Sequence, residues 1–233
     1  MSSNKPLYHR RRFPAEVIAH SVWLYHRFTL SFRGVEEILA ERGVIVSYET
    51  IRQWCAHFGP LYANKLRKRQ GRAGDVWYLD EVNIVVIGGQ RRYLWRAVDQ
   101  DDDVIDILVQ KRKDKRAAKR FFKKLLKGEG ASPNRIVTDK LLSYAAAKRE
   151  MMPSVVHCQD RYSNNRAEVS HEPTREQERQ MRRFKSPGQA QRFLSVHGRV
   201  QNLFRVGRHL MRAAHYRVFR GRAFDAWQQV TYA

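Results

Sequence analysis

The segment from Val76 to Gln110 sets the tightest limit on the fold. It contains VWYLDEVNIVVIGG, RRYLWRAVD and VIDILVQ, three runs rich in β-branched and aromatic residues. Gly88-Gly89 parts the first two runs and Asp99–Asp103 the last two. Such runs, separated by tight turns, predict strands that pair as an antiparallel meander. Alternation follows. A helix is expected over about Lys115–Leu126, with Ala117, Ala118, Phe121, Phe122, Leu125 and Leu126 as its buried stripe. RIVTD then reads as a strand, Lys140–Arg149 as a helix, SVVH as a strand and RYSNNRAEVSHEPTREQERQM as a helix. The order β-β-β-α-β-α-β-α gives a mixed α/β fold, a sheet with helices packed on it.

One side chain fits that first strand poorly. Asp80 sits inside an apolar run, and a carboxylate on a buried strand is costly unless it is paired or holds a metal. By strand alternation Tyr78, Asp80 and Val82 share one face, and Leu79 and Glu81 the other. Asp139 closes RIVTD, so two aspartates stand at the ends of strands expected to be neighbours. Hard oxygen ligands of this kind suit Mg²⁺ or Mn²⁺. Taken singly, each has an ordinary explanation: an arginine partner for Asp80, an N-cap role for Asp139.

Ahead of this block the texture is helical. Residues 1–12 form a basic arm. Over 13–60, Val17, Ile18, Val22, Trp23 and Tyr25 recur at helical spacing, and further helices are expected at Ser31–Glu41 and Tyr48–Phe58. Ser47 is the expected N-cap of the last of these, and Gly43 lies in the turn before it. Helix, turn, then a helix carrying Arg52 and Gln53 outward is a helix-turn-helix layout; a small structural three-helix bundle would look the same, and the charge of the chain is what favours DNA binding. Residues 61–75 read as a basic linker opened by Pro60, in which Lys65, Arg67, Lys68 and Arg69 are expected to contact phosphates. The block at 76–187 is the α/β domain. Residues 188–233 continue as basic, aromatic-rich helices, with Trp227 in a core or a subunit interface.

Charge supplies the partner. Forty-five Lys and Arg against 23 Asp and Glu leave a formal +22. That imbalance is expected of a protein that meets a polyanion, with nucleic acid the first candidate. No apolar run approaches the roughly 18–20 residues of a membrane span. The N-terminus lacks the apolar stretch of a signal peptide, and two cysteines make no disulfide framework. A cytoplasmic, nucleoid-associated protein with no membrane partner is the expectation.

Several motifs together carry a resemblance. WYLDEV, RRYLWRAVDQ, IVTDK, YSNNRAE, RRFKSPGQA and the N-terminal helix-turn-helix resemble the IS6 family of insertion-sequence transposases, the IS26- and IS6100-like group. The resemblance runs from about Phe13 to the C-terminus. It implies an RNase H-like catalytic core with a DDE triad: Asp80 in LDE, Asp139 in TDK and Glu168 in NNRAE. It implies a transposase that binds terminal inverted repeats in double-stranded DNA, frees 3′ ends and joins them to target DNA. A homodimer or higher assembly and two Mg²⁺ ions per site, with Mn²⁺ able to substitute, belong to the same expectation. Two ions clamp the attacking and leaving oxygens of an in-line displacement, Asp80 bridging them while Asp139 and Glu168 each complete one shell. Asn164 and Asn165 match the family motif as supporting residues, and read locally either one could cap the helix carrying Glu168. One departure is DQDDD, where relatives tend to have glycine; Asp102 then takes a tight-turn position and strains the hairpin. The alternative functions are a DNA-binding regulator with an inactive core, and a nuclease for hybrid or branched substrates.

Pro173 makes the third acid ambiguous. If one helix runs through Glu168, then Glu168, His171, Arg175, Arg179 and Arg182 share a face, a metal ligand beside a row of DNA-binding cations, with Lys140 as a further DNA contact. A proline is welcome at the start of a helix and disruptive inside one. Read locally, it starts the helix near Glu172 and makes Glu176 the rival ligand. The expectation is a kinked helix with Glu168 as the ligand.

Overall fold

The computed structural model describes residues 7–85, 89–139, 141–159, 164, 167, 169–205 and 211–232, with the backbone alone at Val85. The chain divides into two compact units, Met1–Gln70 with Arg199–Ala233, and Gly71–Gly198. The boundary near the C-terminus therefore falls at Gly198, inside a helix, rather than at residue 188.

The first unit is helical. α1 (Ala15–Arg27), α2 (Phe32–Ala40) and α3 (Tyr48–Arg69) follow the expected order. Ser31 caps α2 by accepting from the Gly34 N–H, and Ser47 caps α3 by accepting from the Thr50 N–H. Gly43, at φ +74°, makes the turn between them. α3 departs from expectation: it does not stop at Phe58 but runs through Pro60 to Arg69. Phe58, Tyr62, Ala63 and Leu66 continue the buried face beyond the proline. Burying each large side chain is worth about 1.5–3 kcal/mol, enough together to offset the ~3 kcal/mol that an interior proline costs. The basic run is thus the end of a helix, not a linker, and Arg67, Lys68 and Arg69 lie where the helix dipole favours cations.

The C-terminal chain completes this unit. α7 (Pro187–Phe204) ends in it, and α8 (Ala213–Thr231) lies wholly within it. Trp227 of α8 is a core residue, edge-on to Tyr62 with ring centroids 5.4 Å apart. The Tyr8 hydroxyl donates to the Thr231 carbonyl at 2.6 Å.

The second unit carries the sheet, in the order β3-β2-β1-β4-β5. β1 (Val76–Val85), β2 (Arg91–Val98) and β3 (Val104–Gln110) form the expected antiparallel meander. β4 (Arg135–Thr138) pairs parallel to β1, and β5 (Val156–Cys158) parallel to β4. This is the RNase H-like arrangement. α4 (Lys115–Glu129) is capped by Asp114, which accepts from the Ala117 N–H at 2.8 Å, and ends on Gly130 at φ +71°. Its Phe121, Phe122 and Leu125 join Trp77, Leu79, Trp95 and Ile136 of the sheet and Tyr144 of α5 (Leu142–Met151) in one core. The β2–β3 turn closes through the Asp99 N–H to the Asp103 carbonyl at 3.0 Å, with Asp102 left-handed at φ +64°. α6 (Glu172–Gln180) follows β5 in the chain.

Candidate active site

The register of the central strands builds the site. β1 and β4 run parallel with Leu79 opposite Thr138, so Asp80 and Asp139 each come one residue later at the same level. Oxygens of Asp80, Asp139 and also Glu81 lie within 4.8 Å of one another. Among the described residues this is the acidic cluster able to hold a hard cation.

Each carboxylate has its own surroundings. Asp80 is nearly buried, and its Oδ2 lies 3.3 Å from Nε2 of His171, a contact short of an aligned hydrogen bond. Burial, the largest influence, works against the Asp80 charge, but His171, the Glu81 backbone N–H and Lys113 together hold the carboxyl below its usual range. His171 is itself driven below the usual imidazole range, first by burial, so we take the ring as neutral near pH 7. Asp139 accepts from the Leu141 N–H at 3.0 Å through Oδ1, which turns the chain toward α5. Glu81 meets Lys113, with Nζ 2.6 Å from Oε1. Burial first, and then the charge of Asp139, push the Glu81 carboxyl up to about 7 despite that ammonium.

Sequence reasoning missed Glu81 because alternation assigned it to the opposite face from Asp80. It is close to Tyr144 of the core, yet its longer side chain still brings an oxygen within 4.8 Å of Asp80 and Asp139. The adjacent acid pair in LDE was the available signal.

His171 is a correction. It was expected to face DNA, yet it is 0% exposed and touches Asp80, so no phosphate can reach it. The cause is the break before α6. Ala167 and Val169 are helical, Ser170 and His171 form a turn, and α6 starts at Glu172 with Pro173 in its first turn, where no intrahelical bond is lost. His171 precedes this helix and Arg182 lies beyond its end, so no one helix carries both. Buried Arg96 donates to Thr174 Oγ1 at 2.9 Å and fixes the start of α6 beside β2.

Arg175, Arg179 and Arg182 line a cleft of about 1140 Å³ with Glu81, Asn83 and Glu176. Arg182 and Arg183, at φ +52° and +76°, turn the chain at the end of α6, and backbone strain of that kind gathers at functional sites. Glu176 is on this wall but not in the carboxylate cluster. Glu168, Asn165 and Lys140 lie outside the described residues. Asn164 uses its amide otherwise than expected. Nδ2 donates to the Leu79 carbonyl at 3.0 Å, while Oδ1, the atom a helix cap would need, has no partner among the described residues.

In the helical unit, Arg52 is exposed and bidentate to Glu49 at 2.8 and 2.6 Å, and Gln53 Nε2 reaches the same carboxylate at 3.4 Å. Arg69 donates to Gln229 Oε1 at 2.6 Å. Lys65, Arg67 and Lys68 occupy the last turns of α3. Among the described residues no helix is long and apolar enough to cross a membrane.

Comparison with known proteins agrees with this construction. A DDE-domain family model of IS240-type transposases matches residues 74–207, the span that carries the sheet and the carboxylates. The transposase for insertion sequence-like element IS431mec of Staphylococcus aureus is 34% identical over 166 residues, covering 69% of this chain and 73% of that one. The transposase for insertion sequence element IS257 in transposon Tn4003, also from Staphylococcus aureus, is 32% identical over the same shares. Distant likenesses among solved structures include the HTLV-2 integrase catalytic core domain, at 11% identity and TM-score 0.42 over 62% of this chain and 94% of that one. The Mos1 transposase catalytic domain is similar at 13% identity and TM-score 0.41, over 75% and 96%. With the family model matched over more than half of its length, the chain belongs to the DDE transposases of the IS6 family of insertion sequences.

Proposed function

We propose that this DDE transposase binds the terminal inverted repeats of an insertion sequence, cleaves at the element ends and joins the freed 3′-OH groups to target DNA. The observation that carries the reading is the meeting of Asp80 and Asp139 across β1 and β4 in a chain of this family. The donor set fits hard divalent cations: carboxylate oxygens within 4.8 Å of each other, with no thiolate or imidazole among them. Asp80, Asp139 and Glu168 would hold two Mg²⁺ ions, with Mn²⁺ an acceptable substitute. When bound, such ions supply Lewis-acid stabilisation of the attacking and leaving oxygens of a phosphodiester.

The chain's own residues do the rest. The neutral His171 ring holds the rotamer of Asp80 and leaves its charge intact. Arg175, Arg179 and Arg182 offset strand phosphates along the cleft. Arg52 and Gln53 present donors on α3 for base edges in a major groove, Arg52 exchanging its Glu49 partner for the base. Lys65, Arg67, Lys68 and Arg69 add phosphate contacts on the same helix. Joining both ends of an element requires two active sites, hence a homodimer or higher assembly on double-stranded DNA.

The test uses the full chain, a duplex carrying the element end, target DNA and Mg²⁺. Wild type is expected to free a 3′ end and join it. Asp80→Asn, Asp139→Asn and Glu168→Gln should stop both steps while binding persists, and Glu176→Gln should stay largely active. Folded wild type that binds without cutting would make the chain a regulator instead. Cutting of branched or hybrid substrates regardless of the repeat would make it a general nuclease.

A further inference from the structure

We infer that Lys113 contacts a phosphate of the DNA strand at the active site, and that Glu81 is the buried anchor that positions it rather than a third cation ligand. This rests on the DNA substrate proposed above.

The Glu81 side chain is 0% exposed, while that of Lys113 is 38% exposed, with 2.6 Å between ammonium and carboxylate. A carboxylate so enclosed beside Asp80 and Asp139 needs a cation, and Lys113 supplies it. That makes Glu81 a poor ligand: a divalent ion drawn to it would meet the Lys113 charge at once. Asp80 and Asp139 are differently placed. The neighbour of one is an imidazole and of the other a backbone N–H, and neither is a permanent full charge like the Lys113 ammonium.

An ammonium has three N–H donors. Ion-paired to Glu81 on one side, and on a side chain 38% exposed, the Lys113 ammonium has donors to spare for a phosphate. Any phosphodiester close enough to react at Asp80 and Asp139 comes within reach of that ammonium. The surrounding chain favours the same path. Lys113 lies in the loop between β3 and α4, where Lys111 and Arg112, with Arg116 and Arg120 of α4, line a second cleft of about 230 Å³. A strand leaving the carboxylates along this loop stays over cations.

The experiment reads binding without metal, so it does not depend on catalysis. Affinity of the full chain for a fluorescent element-end duplex is measured by anisotropy in EDTA, from about 50 to about 200 mM KCl. Lys113→Met should weaken binding several-fold at low salt and lower the slope of log K against log salt by about 1, the loss of one phosphate contact. Lys113→Arg should keep the wild-type slope. Lys113→Met alone strands a buried carboxylate and should lower the melting temperature. The double variant Glu81→Gln/Lys113→Met should recover that temperature and keep the reduced slope. A wild-type slope in the recovered double variant would reduce Lys113 to a structural counter-charge and overturn the inference. Calorimetric titration with Mn²⁺ tests the other half. Affinity should hold in the double variant and be lost in Asp80→Asn, so a tenfold loss in the double variant would make Glu81 a ligand. The two readings fail separately: a wild type that binds no duplex ends both, whereas an unchanged slope leaves the Asp80 chemistry standing.

Discussion

The Asn164 amide donates to the Leu79 carbonyl at 3.0 Å, tying the segment before Glu168 to the strand position next to Asp80. A buried carbonyl deprived of its donor costs about 1–3 kcal/mol. Asn164→Ala should destabilise the catalytic unit by about that much, measured by urea unfolding. A misplacement of about 1 Å at the chemistry is worth on the order of 10²-fold in rate. Cleavage should therefore fall far more than DNA affinity does. Equal loss of both would mean that Asn164 contacts DNA rather than orienting β1.

His171 separates two roles in one residue. If it positions Asp80, His171→Gln should raise the Mg²⁺ concentration needed for half-maximal cleavage by about 10–100-fold, the usual cost of disturbing a ligand's support. DNA affinity in EDTA should stay within about twofold of wild type, because a ring with 0% exposure makes no phosphate contact. A reduced salt slope for this variant would reinstate it as a DNA-binding residue.

Asp102 pays for its turn in backbone strain. At φ +64° it sits where glycine is the unstrained choice, although aspartate tolerates that region better than most. Asp102→Gly should raise stability by about 0.5–1 kcal/mol, visible as a higher melting temperature. The Asp99 carboxylate, which accepts from the Asp101 and Asp103 N–H groups, keeps the turn closed in the variant.

His26 predicts a pH dependence in the helical unit. Its ring is buried, with Nδ1 2.8 Å from the Val22 carbonyl. Burial lowers its pKa to about 4, the hydrogen bond offsetting only part of that. The unfolded chain therefore binds the proton more tightly than the folded one. The His26 contribution is complete above about pH 6.5 and is lost as pH falls toward 4, at about 1.4 kcal/mol per unit across that window. Acidification from pH 7 to 5 should cost roughly 2 kcal/mol through this residue. His26→Leu should narrow the difference in melting temperature between those two pH values. An unchanged difference would assign the acid sensitivity elsewhere.

Local pattern revealed most of the sheet. The β-branched runs, the acidic turn and the apolar stripe of α4 are signals carried within a few residues, and each element formed where they lay. Asp80 and Asp139 were legible for the same reason, as carboxylates at odds with apolar strands. What escaped depended on distant partners. Pro60 looked like a helix end because Tyr62 and Leu66 gain their burial from the tertiary packing of the unit. Glu81 was hidden because alternation sets it on the face opposite Asp80 and says nothing of how close their carboxylate oxygens end, which is within 4.8 Å. His171 was placed on a DNA-facing surface by extending one helix across a proline that begins another.

The helical unit is assembled from both ends of the sequence, and that fixes an order of events. Tyr8 is bonded to Thr231, 223 residues later, and Tyr62 waits for Trp227. On the ribosome the first 70 residues emerge with part of their core uncovered. The intervening catalytic unit is synthesised whole before α8 exists to cover them. Long-range closure of this kind is slow compared with local helix formation. A chain that stops before α8 therefore holds every residue of its carboxylate cluster yet lacks the Trp227 ring that packs on Tyr62, so its helical unit ends with a core that only the last residues of the chain complete.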